Sequence, residues 1–247
     1  MKNNNFINAA YIIIGDEILS GRTKDKNLNF LAINLAKIGI SLKEVRVVPD
    51  VEKEIIDAVN ILRRKFTYVF TSGGIGPTHD DITSLAISKA FRDKLIKNKE
   101  AEQILIHYYG KAGINEARLK MAYVPSKSRL LDNPVSSAPG FIIDNVIVMA
   151  GVPKIMRAMF KAAKKELIGG SKILSKELKI SLTESIIAKD LEELQKKFPN
   201  VSMGSYPFNK GTSLVFRSAD IASLEKSFAK MISIVNSIKK NAIIGIK

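Results

Sequence analysis

The alternation of short apolar runs with helical patterns along the N-terminal part of the chain most constrains the fold. The apolar runs occupy residues 9–14, 42–48 and 68–71, and residues 27–37 and 51–65 between them carry apolar side chains at helical spacing. Asp50, just before the second helical segment, is predicted to cap it. Strands that alternate with helices form a parallel sheet covered on both faces. The pattern therefore predicts an α/β fold, whose ligands bind where the strands end.

The stretch Tyr68–Thr83 joins the third of these strands to the next helix through a glycine-rich loop. Ser72 is followed by Gly73, Gly74 and Gly76. Glycines let backbone N–H groups approach a ligand, and the N-terminus of the following helix favours an anion. The stretch therefore predicts a phosphate-binding loop, although glycines can also serve only to shape a turn.

Two carboxylates, Asp80 and Asp81, follow the glycines and would repel a phosphate. Magnesium, manganese or cobalt between the carboxylates and the phosphate would remove this conflict. Asp16 and Glu17 follow the first strand, and parallel strands end at the same edge of a sheet, so four carboxylates are expected there. We interpret this group as a metal-assisted nucleotide or pyrophosphate site. The alternative is that Asp80 or Asp81 only caps the helix at 82–91.

Composition excludes several classes of chemistry. The chain has no cysteine and only two histidines, His79 and His107, which excludes disulfides, thiol catalysis and cysteine–histidine zinc sites. Lys+Arg 39 against Asp+Glu 24 gives a net charge of +15. Because the lysines are spread over the predicted helices with few aromatic residues among them, we expect no nucleic-acid partner. The charge would still attract a polyphosphate ligand.

The apolar segments are too short for a membrane protein. None approaches the ~20 residues that a membrane-spanning helix needs. Residues 1–5 are polar and lack the apolar core of a secretory signal. We therefore expect a cytoplasmic protein with no membrane contact.

The sequence predicts two domains, 1–170 and 171–247, because Gly169, Gly170 and Ser171 form the best linker in the chain. Beyond the linker the pattern changes to strand, helix, strand, strand and helix, at residues 178–181, 185–197, 201–206, 212–217 and 221–238. This order predicts a small α+β domain.

A series of motifs runs through the first domain. They are Gly15-Asp16-Glu17-Ile18-Leu19-x-Gly21, Asp25-x-Asn27, Thr71-Ser72-Gly73-Gly74-Ile75-Gly76-Pro77-Thr78-His79-Asp80-Asp81-Ile82-Thr83, Asn133-Pro134, Ala138-Pro139-Gly140 and Gly151-Val152-Pro153. In this order they resemble the CinA family, the branch of the MoaB/Mog-like molybdopterin-binding fold that also supplies the N-terminal domain of eukaryotic FAD synthases. Thr183-Glu184-Ser185 and Gly204-Ser205-Tyr206-Pro207 resemble the small domain that follows in that family.

The resemblance implies a three-layer α/β fold and two activities. One is metal-dependent hydrolysis of a nucleotide diphosphate such as ADP-ribose or FAD; the other is binding or adenylylation of molybdopterin. It also implies a homo-oligomer. The positions that carry over are Gly15, Asn27, Ser72, Gly73, Gly74, Gly76, Pro77, Thr78 and His79 for the substrate, Asp16, Glu17 and Asp81 for the metal, and Asp80 and Asp81 for catalysis.

The sequence departs from the CinA pattern in two places. His79 stands where many CinA proteins have lysine, so a phosphate contact from this position would be weaker and pH-dependent. Full-length CinA proteins continue into an amidase domain that acts on nicotinamide mononucleotide, an activity that we do not transfer to a chain ending at Lys247. We favour the hydrolase, with molybdopterin binding or adenylylation as the alternative and a non-catalytic module whose small domain is an interaction platform as the third hypothesis.

Overall fold

The computed structural model describes residues 7–247. The chain divides into two compact units, the first ending at Gly170 and the second comprising Ser171–Lys247. Residues 1–5, on which the expectation about a secretory signal depends, lie outside the described residues. Within residues 7–247, every helix is too short or too polar to cross a bilayer.

The first unit contains the following elements in chain order: β1 (Ile7–Ile14), α1 (Asp16–Leu19), α2 (Asn27–Ala36), β2 (Ile40–Val48), α3 (Glu52–Lys65), β3 (Tyr68–Ser72), α4 (Thr83–Ala90), β4 (Leu95–Lys97), α5 (Lys99–Tyr109), α6 (Glu116–Lys120), β5 (Tyr123–Pro125), β6 (Arg129–Leu131), β7 (Gly140–Ile143), β8 (Val146–Met149) and α7 (Pro153–Ala163). Six of the strands form one sheet in the order β2-β1-β3-β8-β7-β6. The first four strands in this order are mutually parallel, whereas β7 pairs antiparallel with both β8 and β6. A separate antiparallel pair joins β4 and β5.

The central strand β1 is buried on both faces, which explains its continuous apolar sequence. Ile12 and Ile14 belong to the core on the side of α3 and α4. Tyr11 and Ile13 belong to the core on the side of α2 and α7. Helices thus cover both faces of a mostly parallel sheet, and the predicted three-layer α/β fold is confirmed.

The second unit forms a four-stranded antiparallel sheet in the order β10-β11-β9-β12. Its elements are β9 (Leu174–Ile180), α8 (Glu184–Lys197), β10 (Ser202–Phe208), β11 (Gly211–Ser218), α9 (Ile221–Ile238) and β12 (Ile243–Ile246). This is the βαββαβ order of a ferredoxin-like unit. The prediction of a small α+β domain is confirmed, but it missed β12, an edge strand of four residues.

The helix cap predicted at Asp50 is wrong. The residue that precedes α3 is Val51, and no side chain caps that helix. The Asp50 carboxylate instead accepts a hydrogen bond from the backbone N–H of Asp16 (3.0 Å). The two residues follow neighbouring parallel strands, a proximity that local sequence does not reveal.

Candidate active site

The carboxyl ends of the parallel strands lie at one edge of the first unit's sheet, and backbone hydrogen bonds connect the loops that follow them. The N–H of Gly15, after β1, donates to the carbonyl of Val48 in β2 (3.1 Å). The N–H of Gly73, after β3, donates to the carbonyl of Met149 in β8 (3.1 Å). The predicted site residues that follow β1 and β3 therefore share one edge.

Gly73 begins the glycine-rich loop where two backbones approach closely. Its φ is +105°, and a methyl group added to it would overlap the carbonyl oxygen of Ile14. Gly151, after β8, approaches from the other side: a methyl group added there would lie 3.3 Å from the Gly73 Cα. A residue with a side chain at position 73 would therefore push apart the strand ends on which the loop is built.

Thr83, the first residue of α4, anchors the beginning of this loop. Its hydroxyl donates to the Gly73 carbonyl (3.0 Å), and its N–H donates to the Gly74 carbonyl (2.9 Å). Thr83 is fully buried. The first residue of α4 thus binds the carbonyls of both Gly73 and Gly74. These two bonds fix the orientation of the peptide units at the beginning of the loop. Thr83 belongs to the motif, but the sequence alone does not predict it as a site residue.

Asp81 holds the far side of the loop. One of its carboxylate oxygens accepts from the Thr78 N–H (2.8 Å) and from the Thr78 hydroxyl (2.5 Å). The same oxygen would lie 2.7 Å from a methyl group added to Gly76. The proposed cap is wrong for both aspartates, because α4 is preceded by Ile82 and has no side-chain cap. In this structure Asp81 braces the loop, and its roles as metal ligand and catalytic group stay predictions.

The middle of the loop carries backbone donors without partners. Among residues 7–247, no acceptor takes a hydrogen bond from the N–H groups of Gly74, Ile75 or Gly76. We call these three residues the amide loop. They are partly exposed, so their N–H groups are not enclosed in the core. Consecutive free N–H groups next to a helix start form an anion site.

Asp50 joins the predicted acidic residues at this edge. Burial raises the pKa of its carboxyl above the ordinary value, against a lowering by the hydrogen bond from Asp16. Negative charges nearby, on Asp16, Glu17 and Asp80, raise the pKa further. The Glu17 carboxylate lies against the Cα of Gly15, where it would collide with an added methyl group. The Asp50 carboxyl is therefore within electrostatic range of Asp16, Glu17 and Asp80, and we call these four residues the acidic group.

The end of the loop is exposed and carries both signs of charge. Pro77, His79 and Asp80 are exposed to solvent. The nearby Thr78 hydroxyl lowers the pKa of the Asp80 carboxyl, although its proton is donated to Asp81, and the charges of His79 and Lys120 add to this lowering. The Lys120 ammonium, from the end of α6, donates to the Thr78 carbonyl. Sequence reasoning missed Lys120 because α6 is far along the chain from the loop.

Ser72 and Asn27 lie in the core beneath the loop. The Ser72 hydroxyl makes a 2.5 Å hydrogen bond with that of Tyr11, whose pKa is raised by burial. Asn27 is 4% exposed, and its amide nitrogen donates to the Gly151 carbonyl (2.7 Å). Its side-chain oxygen is buried and finds no donor in the described part of the chain. The structure thus leaves one unused acceptor beside the strand end that packs on Gly73.

The described residues contain no group of three or more His, Cys, Asp or Glu side chains that could hold a metal ion. A site with fewer protein ligands needs other oxygens, and magnesium commonly takes one or two carboxylates together with waters and substrate phosphate. The carboxylates of the acidic group could therefore hold a magnesium ion only together with the phosphate of a bound ligand.

A cavity of about 540 Å³ lies in the second unit, between the start of α8 and the turn from β10 to β11. Hydroxyl groups line much of it, together with Glu184 and Lys210. None of the predicted site residues belongs to this cavity. The chemistry predicted from sequence is therefore confined to the first unit.

Family models match nearly the whole chain. A model described as a probable molybdopterin binding domain matches residues 10–170. A second model, described as the middle domain of FAD synthase, matches residues 172–242.

Individual relatives match much of this chain but differ in their own length. A protein of Thermococcus kodakarensis is 34% identical over 236 residues, which cover 89% of this chain and 94% of that protein. A probable FAD synthase of Caenorhabditis elegans is 35% identical over 225 residues, 81% of this chain but 43% of that protein. The crystal structure of the protein CinA with unknown function from Thermoplasma acidophilum is 37% identical, with a TM-score of 0.61, and covers 64% of this chain and 96% of that chain.

Proposed function

The chain belongs to the family of probable molybdopterin-binding domains, and from this membership we propose that its first unit binds the phosphate of a pterin or nucleotide at the amide loop. The observation that supports this most directly is the set of three consecutive N–H groups, of Gly74, Ile75 and Gly76, without acceptors in residues 7–247. Such groups bind phosphate oxygens without needing a charged side chain. The bonds from Thr83 fix the loop before a ligand arrives, which reduces the entropy lost on binding.

Molybdopterin fits the groups that the site offers. When bound, it would supply a terminal phosphate for the amide loop and a pterin ring with N–H donors. The unused Asn27 oxygen is an acceptor for such a donor, beneath the loop. Its burial means that a donor could reach it only after a small shift of the Asn27 side chain.

Purification followed by oxidative extraction tests the pterin ligand. We expect fluorescent pterin in the extract, and a complex that reforms when molybdopterin is added back to stripped protein. ATP-dependent adenylylation of that ligand would extend the assignment to a transferase. If stripped protein bound neither molybdopterin, AMP nor ADP-ribose at millimolar concentration, the proposed phosphate site would be wrong.

Metal-dependent hydrolysis of a nucleotide diphosphate is a second candidate, and the acidic group at the sheet edge favours it. The negative charges that raise the pKa of Asp50 belong to Asp16, Glu17 and Asp80. Two of these carboxylates and a ligand phosphate would hold the ion. A divalent ion, when bound there, supplies Lewis acidity toward the diphosphate bridge and activates water.

Incubation with ADP-ribose and with FAD separates this candidate from binding alone. We expect release of AMP with magnesium, manganese or cobalt, and loss of that release with EDTA. Asp16→Asn should reduce turnover, whereas Asp57→Asn, on an exposed position of α3, serves as the matched control. If no metal gives AMP from either substrate, the hydrolase is excluded and the binding function stands.

A further inference from the structure

Lys120 places an ammonium group on the far side of the amide loop. It donates to the carbonyl of Thr78, two residues after Gly76. The residue is partly exposed, and its ammonium lies where solvent can reach it. An ammonium has three donors, and the Thr78 carbonyl uses one of them, so two are free for a ligand.

The element that carries Lys120 is held in place by packing. Asn115 caps α6 by accepting from the Arg118 N–H (2.9 Å). The Arg118 guanidinium lies 4.1 Å from the centre of the Tyr109 ring at the end of α5. Ala122, just after Lys120, is fully buried. The position of Lys120 is therefore set by α5 and α6 and does not depend on the loop that it contacts.

The charges at this edge create a need for such a cation. The negative charges of Asp16, Glu17 and Asp80 raise the pKa of Asp50, and the positive charge of Lys120 lowers the pKa of Asp80. A phosphate at the amide loop would be repelled by this group unless a positive charge offset it. The Lys120 ammonium contacts the loop at the Thr78 carbonyl, where it can supply this positive charge.

We propose that Lys120 is a ligand-binding residue that supplies the counter-charge for the phosphate at the amide loop, so that binding of a phosphorylated ligand proceeds without a divalent metal. This inference rests on the proposed function and names the side chain that makes the amide loop prefer an anionic ligand. A lysine that only fastened the Thr78 carbonyl would affect the loop's stability but not the dependence of binding on charge.

The experiment is a titration with pyrophosphate in EDTA, followed through the amide NMR signals of Gly74 and Gly76. Wild type is compared with Lys120→Gln, which keeps a donor for Thr78 but loses the charge, and with Lys120→Arg, which keeps both. Lys161→Gln, near the end of α7 and exposed, removes the same charge from another part of the surface. The affinity is measured at two salt concentrations, because a charge contact weakens as salt rises.

We expect Lys120→Gln to weaken pyrophosphate binding about tenfold, the effect of one charged hydrogen bond. Its binding should also depend less on salt, whereas Lys120→Arg should stay close to wild type and Lys161→Gln should not change. Equal affinities of wild type and Lys120→Gln would overturn the inference while leaving the proposed function intact. No shift of either glycine signal in wild type, in EDTA or after magnesium is added, would overturn the proposed function, and the inference with it. Shifts that appear in wild type only after magnesium is added would overturn the inference and leave the proposed function intact.

Discussion

Two glycine turns at the same sheet edge, at Gly15 after β1 and at Gly73 after β3, use the absence of a side chain in different ways. Both have positive φ, +155° and +105° respectively. At Gly73 the space of a side chain is filled by a backbone carbonyl, that of Ile14. At Gly15 it is filled by the end of a flexible side chain, the Glu17 carboxylate.

The difference separates a fixed part of the site from an adjustable part. The Ile14 carbonyl belongs to a central strand and cannot move without disturbing the core. The Glu17 carboxylate can rotate away at the cost of side-chain contacts alone. We infer that the Gly73 turn sets the geometry of the amide loop, whereas the Gly15 turn leaves an acidic side chain free to respond to a ligand.

Gly73→Ala should give the largest effect. The methyl group would meet the Ile14 carbonyl, and the backbone would be strained at positive φ, so we expect a loss of about 3 kcal/mol or more in the free energy of unfolding. Urea denaturation measures it. Gly21→Ala is the control, because Gly21 also has positive φ (+73°) but no atom within 4 Å of an added methyl group. That control should lose about 1 kcal/mol. Equal losses would mean that the close approach of the backbones is unimportant.

The longer strands and helices of both units could be predicted because each carries its own apolar pattern. The buried strand at 9–14 in the first unit and the α9 helix at 221–238 in the second are examples, and the family resemblance drawn from the motifs is confirmed by the matching models. Short elements were missed, because three or four residues are too few for a periodic pattern. They are α1, β4, β5, β6 and β12.

A site residue could be predicted only where its position after a strand implied that it lies at the carboxyl edge of the sheet. Asp16, Glu17 and the glycines follow strands, so parallel topology was enough to bring them to one edge. Asp50 was interpreted as a helix cap because its local sequence fits one. The direction of a carboxylate depends on contacts between distant segments, and the contact of Lys120 with Thr78 is of the same kind.

Gly15→Ala should cost less than Gly73→Ala, because the displaced group is a movable carboxylate. We expect a loss of about 1 kcal/mol in the free energy of unfolding, mainly from positive φ. The double variant Gly15→Ala/Glu17→Ala tests the cause, because removing the carboxylate should recover the part of the loss that comes from overlap. A loss as large as that of Gly73→Ala, unchanged by Glu17→Ala, would show that the two turns are equally rigid.

Asp50 connects the two turns, and Asp50→Asn should change the stability least. The change should be stabilising. Asp50 accepts the Asp16 N–H beside the first turn, and one of its oxygens would lie 3.5 Å from a methyl group added to Gly74 in the second. Asparagine keeps an acceptor for that N–H and removes the negative charge.

The sign of the stability change follows from how the pKa of Asp50 differs between the folded and unfolded states. The pKa of Asp50 is raised by burial in the folded protein, so the folded state binds this proton more tightly than the unfolded state, in which the pKa is about 3.9. Wild type therefore loses stability from this group as the pH rises through the folded pKa, and asparagine does not. We expect the melting temperature of Asp50→Asn to exceed that of wild type by about 1 °C at pH 7, with the difference shrinking toward pH 4. Asp57→Asn, at an exposed position of α3, should show no such trend.

The opposite result would be a melting-temperature difference between Asp50→Asn and wild type that grows as the pH falls. It would mean that this edge of the sheet stabilises the Asp50 carboxylate. The acidic group would then lack the repulsion that a bound cation relieves.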